Sequence, residues 1–187
     1  MKPLSLFRMV VSSKEGWNDI ARTHPSPWGA FLKIVLFPSS VAAGMILYAA
    51  WFHGDVYAPE VTFGYWAGVA VIFLLTSWGC VHVMAWFIRQ AVHTDSRPSY
   101  ADSYRLAAIA PVPIWLSALS LFVPIPLFNA LAAILGLMAS GGLIYHGLDA
   151  LFEHDDSVRT EALAYTVFSV GALVWALIVA LLVMPLL

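Results

Sequence analysis

Three side chains carry most of the chemical capacity that this sequence keeps inside its apolar stretches: His82, His146 and Asp149. An ionisable group at membrane depth costs about 3 kcal/mol or more unless it is paired or wetted, so each of these positions calls for a reason. His146, Asp149 and Glu153 are three and four residues apart and line one stripe of a helix. His82 precedes Arg89 by seven residues, and His146 precedes Phe152, the end of its own apolar run, by six. At 1.5 Å per residue both imidazoles lie roughly 10 Å below one surface. Pro38-Ser39-Ser40 and Pro111-Val112-Pro113 interrupt two other apolar runs near the same level, and prolines free carbonyls that something must satisfy. These features predict a polar pocket lined by Ser39, Ser40, His82, His146 and Asp149. Three chemistries suit it. His82, His146 and Asp149 can ligate a divalent transition metal such as zinc; a His–Asp pair can relay protons or bind a small solute; or the same groups can form an interhelical hydrogen-bond network that fixes packing.

The elements that must position these residues follow from composition. Of 187 residues, 61% are apolar and 11% charged, with a mean hydropathy of +0.82. A globule of this size leaves too much surface for that apolar excess to be hidden in one core, which excludes an ordinary soluble enzyme and a disordered tail. Cys80 is the only cysteine, so disulfides and cysteine-based zinc clusters are excluded. A net charge of −2 offers no polyanion-binding surface, and nucleic acid is not an expected partner. Lys2, Lys14 and Lys33 are the only lysines, and none follows a phosphate-binding glycine loop. No dinucleotide fingerprint, metalloprotease helix or nucleophile elbow occurs.

Five stretches meet the requirement of about 20 mostly apolar residues for a spanning helix: Ile34–Phe52, Phe63–Ile88, Leu106–Val123, Leu127–Phe152 and Ala162–Leu187. The fold class is therefore all-α, a polytopic membrane protein with five transmembrane helices. Pro124-Ile125-Pro126 is a tight turn that makes spans three and four a hairpin. All nine basic residues fall on one side of this layout, which predicts an N-terminus in the cytoplasm and a C-terminus outside.

Residues 1–33 form a cytoplasmic arm, and residues 34–187 the transmembrane domain. Within the arm, Leu6, Val10, Trp17 and Ile20 recur at helical spacing opposite Arg8, Ser12, Glu15 and Asp19, which predicts a short amphipathic helix on the inner leaflet with Trp17 at headgroup level. Gly64-x-x-x-Gly68 and Gly136-x-x-x-Ser140 permit close helix contact, within the chain or between copies. Trp28, Trp51 and Trp66 sit at span ends as an interfacial belt. Asp155 or Asp156 is placed to cap helix five.

Three parts of the chain resemble the Ypt-interacting-protein (Yip) domain superfamily in its bacterial branch. They are Trp17-Asn18-Asp19-Ile20 followed by Pro25-Ser26 and span one; Ser99-Tyr100-Ala101-Asp102-Ser103-Tyr104-Arg105 running into Ala110-Pro111; and the five-span layout with a proline turn and a glycine-rich helix four. The resemblance implies a membrane role without catalytic residues. Eukaryotic members bind prenylated Rab GTPases through a long N-terminal region, where this chain has a short arm. The expected function is non-enzymatic membrane organisation or protein interaction, with the lipid bilayer, a membrane-protein partner or a second copy as partners. The alternative is metal- or proton-linked handling of a small solute at the His/Asp pocket between helices two and four.

The charge asymmetry makes a direct prediction. A reporter fused after Leu187 should behave as periplasmic and one fused within Arg89–Arg105 as cytoplasmic; two fusions reporting the same side would break the five-span count.

Overall fold

A computed structural model of the chain describes Trp17 and residues 26–92, 98–152 and 157–183. Among the described residues all regular structure is helical. That is what a bilayer imposes, because a helix satisfies its backbone polar groups internally. Helix α1 runs Pro27–Tyr57, α2 Phe63–Ala91, α3 Tyr100–Ile109, α4 Val112–Ser117, α5 Pro126–Phe152 and α6 Ser157–Val183. A 3-10 turn, Ala118–Phe122, extends α4. With Tyr100–Phe122 counted as one interrupted span, five segments are long and apolar enough to cross a membrane, as the sequence predicts.

The helices differ from the predicted spans at their ends, for reasons of capping. α1 begins at Pro27 rather than Ile34, because the Ser26 hydroxyl accepts from the Gly29 amide at 3.2 Å and Pro27 fills the first helical position. The expected break at Pro38-Ser39-Ser40 is absent. A π-helical turn, Phe31–Val35, precedes Pro38 instead and accommodates a ring that would otherwise crowd the Ile34 carbonyl. Ser39 donates to the Val35 carbonyl at 2.6 Å and accepts from Trp78 Nε1 at 3.0 Å, tying α1 to α2. The third span does break where expected, with a turn at Ala110-Pro111 between α3 and α4.

The packing order is a ring. α1 lies against α2, α2 against α6, α6 against α5, α5 against α4, and α4 back against α1. Around it, Leu127, Leu135, Leu173 and Leu181 are largely exposed, the surface that lipid requires. α3 sits inside one end of the ring, packed on α1, α2 and α5. Seven consecutive residues of it, Ser103–Ile109, are buried, so α3 is enclosed on all faces. This end carries Lys33, Arg89 and Arg105 and is the basic end of the bundle.

Trp17 is fully buried there and not at headgroup level. Its indole packs where Gly147 of α5 and Leu106 of α3 meet; a Cβ added at Gly147 would lie 2.5 Å from Leu106 Cδ1 and 2.6 Å from Trp17 Cζ2. A ring that large is worth more in such a slot than at an interface. The other positions of the predicted arm helix and the cap at Asp155 or Asp156 lie outside the described residues. Trp28 and Trp51 are exposed as a belt requires, but Trp66 turns inward.

Gly136 shows what its small-residue pair is for. A Cβ there would stand 2.9 Å from the Pro113 carbonyl oxygen and 3.2 Å from Ile114 Cα, so α5 meets the backbone of α4 within one chain. Gly136→Ala should therefore destabilise the bundle by roughly 1–3 kcal/mol. Gly142→Ala, where a Cβ meets nothing within 4 Å, should not destabilise it and can gain up to about 1 kcal/mol of helix propensity. Thermal melting of the two purified variants checks the contrast.

Candidate functional site

The polar groups of the basic end gather on the first turns of α3. Ser99 caps this helix: its hydroxyl accepts from the Asp102 amide at 3.1 Å and donates to the Asp102 carboxylate, while Ser103 donates to the Ser99 carbonyl at 3.1 Å. Asp102 in turn pairs with Arg105 one turn further on. Arg105 is only 4% exposed. The helix therefore starts six residues before Leu106, the predicted start of the third span; the polar start of the segment hides a helix whose cap is Ser99.

His82 of α2 reaches this cluster. Its Nδ1 shares a hydrogen bond with the Tyr100 hydroxyl at 3.0 Å, and its ring lies 5.0 Å from that of Tyr104, which is fully buried. His146 is half-buried on α5 with its ring 5.4 Å from that of Tyr145, and Asp149 is exposed. Among the described residues no hydrogen bond, ion pair or ring contact joins His82 to His146 or Asp149. Nor do three histidine, cysteine, aspartate or glutamate side chains come close enough there to hold a metal ion. Glu153 lies outside the described residues.

The helix pairing accounts for this. α2 and α5 are not packed on each other beyond a marginal contact. Between them lies a cavity of about 600 Å³, lined from all five spans. None of Ser39, Ser40, His82, His146 and Asp149 lines it. Its wall is apolar, with Ser77, Cys80 and Ser140 as small polar exceptions. Ser140 is satisfied by donating to the Gly136 carbonyl at 3.0 Å. At the end opposite the basic one, Asn129 of α5 donates to the Tyr57 hydroxyl of α1. Trp66 lines the cavity near that end, and its Nε1 is buried without a partner among the described residues.

The family model for the Yip1 domain matches residues 7–183. The chain belongs to the Yip1 domain family. Comparison with curated proteins and with solved structures finds no match.

In this Yip1 domain the Ser99–Arg105 stretch, which carries part of the sequence resemblance, forms the first turns of α3 and joins it to α2 through His82. The inward turn of Trp66 and the cavity had no sequence signal, because depth along a helix says nothing about which face turns inward. The Asp102–Arg105 pair makes the testable statement. Breaking a buried pair costs about 3–5 kcal/mol, and less where one partner keeps some solvent. Asp102 is 26% exposed, so Asp102→Asn should fall below that range yet exceed an exposed helix substitution. Asp102→Asn combined with Arg105→Met should recover part of the loss in the same melting assay.

Proposed function

We propose that this Yip1 domain protein is a non-enzymatic membrane-organising or protein-interaction module of a bacterial inner membrane, with its N-terminus in the cytoplasm and its C-terminus in the periplasm. One observation carries the reading: side-chain hydrogen bonds fasten the described helices to one another. Ser39 of α1 holds Trp78 of α2, His82 of α2 holds Tyr100 of α3, and Asn129 of α5 holds Tyr57 of α1. Hydroxyls and imidazoles committed in this way support a scaffold, and the broad apolar exterior supports work done against lipid or other spanning helices. The sidedness rests on the basic residues at one end.

Two measurements test it together. A photo-crosslinker placed at the exposed positions Leu135 and Leu173 in native membranes should trap a discrete protein species, either a second copy or a partner; adducts with lipid alone would remove the interaction reading. Elemental analysis of protein purified without added metal should find less than stoichiometric metal. A full equivalent of zinc, lost in His146→Ala, would establish the solute- or metal-handling alternative instead.

A further inference from the structure

We infer that the central cavity holds one hydrocarbon chain of an amine-headed membrane phospholipid, with the ester end of that lipid at Trp66 and Tyr57. The inference stands on the cavity itself and not on the organiser reading.

The first argument is that the cavity needs filling. It measures about 600 Å³ and is walled by Val69, Phe73, Ile144, Phe168 and other apolar side chains. An apolar cavity of this kind does not take up water but does take up hydrocarbon. In a bilayer the surrounding solvent is itself hydrocarbon, and walls facing a void would lose their dispersion contacts.

Shape decides among occupants. The lining residues on α2 run from Trp66 to Ile88, which at 1.5 Å per residue is about 33 Å, comparable with the hydrocarbon thickness of a membrane. A transmembrane helix about 10 Å across and that long would need several times the volume present. At roughly 30 Å³ for each small group, the cavity accommodates on the order of 20 methylenes, the content of a single acyl chain. On the bilayer side the cavity is bounded by α6, whose spanning window is the least buried of the five at 11%. It lines the cavity with Phe168, Gly171 and Trp175 and closes it against the bilayer.

The polar end is set by chemistry at one mouth. Trp66 is 8% exposed and its Nε1–H has no partner among the described residues, an unused donor beside an apolar tunnel. An ester carbonyl is the acceptor a phospholipid brings to that depth. Nearby polar atoms, Asn129 Oδ1 and His53 Nε2, are likewise buried without partners there. Asp55 and Glu60, both exposed, flank this mouth, and no lysine or arginine lies between Asp55 and Trp66 to hold an anionic headgroup. An ammonium headgroup suits that charge and an anionic one does not.

The test uses the full chain in vesicles of equal phosphatidylethanolamine and phosphatidylglycerol, with a trace of phosphatidylethanolamine carrying a diazirine on one acyl chain. After photolysis, adducts are mapped by mass spectrometry. Adducts should appear on the inward residues Cys80, Met84 and Phe168 as well as on the outward Ile72, Leu75 and Leu173. Gly171→Phe should abolish the inward adducts and leave the outward ones; a Cβ there meets only Met84 Cε, at 3.8 Å, so the ring has room to enter the cavity. Should this variant misfold, its outward pattern changes too, and the inward adducts of the unaltered chain decide alone. Outward adducts only, as expected if protein or nothing fills the cavity, would overturn the inference. The same diazirine chain on phosphatidylglycerol should give several-fold fewer inward adducts; equal labelling would overturn the amine headgroup.

Discussion

Everything at the basic end depends on one constraint: α3 is buried on every face, and it contains an arginine. A helix enclosed on all sides ordinarily has to be apolar all round. Here Arg105 is admitted because its counter-charge comes from the same helix, Asp102, one turn earlier. Asp102 is held in turn by the cap at Ser99. The charge and this carboxylate thus enter the bundle together on one helix. The other faces of α3 pack against its neighbours. Leu106 meets Gly147 of α5 beside Trp17, Ala108 is part of the same core, and Tyr104 presents its ring to His82 of α2.

The proline break at Pro111 separates two duties within the third span. Before it, α3 fills the interior of the basic end. After it, α4 joins the outer ring, where Pro113 and Ile114 receive the bare backbone of Gly136. An uninterrupted helix would have to continue on one axis and could not both plug the ring and belong to it. The same division explains where the space is. α3 fills one end; beyond its last turn nothing sequential replaces it, and five spans closed in a ring leave a cavity between α2 and α5.

Much of this was legible in the sequence because it depends on composition along the chain. Five spans, the proline hairpin after span three and the break at Pro111 all follow from apolar runs and prolines. What could not be read depends on azimuth. His82 and His146 do lie near the same end, but α2 turns Ser77, Val81, Ala85 and Ile88 inward, and His82 is one residue off that stripe. One residue is 100° of rotation, enough to take the imidazole from the ring's interior to Tyr100 at the flank. α5 likewise buries Gly136, Ser140, Leu143, Gly147 and Leu148 and leaves Asp149 outside. Trp17 differs from expectation for a related reason: tryptophan favours interfaces on average, but Gly147 opposite it makes a slot in which the whole ring is used.

Between lipid and helix there is no hydrophobic preference for burial, so packing in this bundle is tightest where backbones can approach and loosest where they cannot. Of the described glycines, Gly136 against Pro113, Gly141 against the ring of Phe168, and Gly147 against Trp17 and Leu106 leave the least room for a Cβ, and all lie on α5. α5 is therefore the helix that fixes its neighbours, α4 on one side, α6 on another and α3 at the basic end. α2 has no such contact: a Cβ at Gly68 or Gly79 would meet nothing within 4 Å. It is positioned instead by side chains, through Trp78 to Ser39 and His82 to Tyr100. α2 nevertheless packs as closely on α1 and α3 as α5 does on α4 and α6. The two helices are held by different means and against different neighbours, and the cavity lies between them.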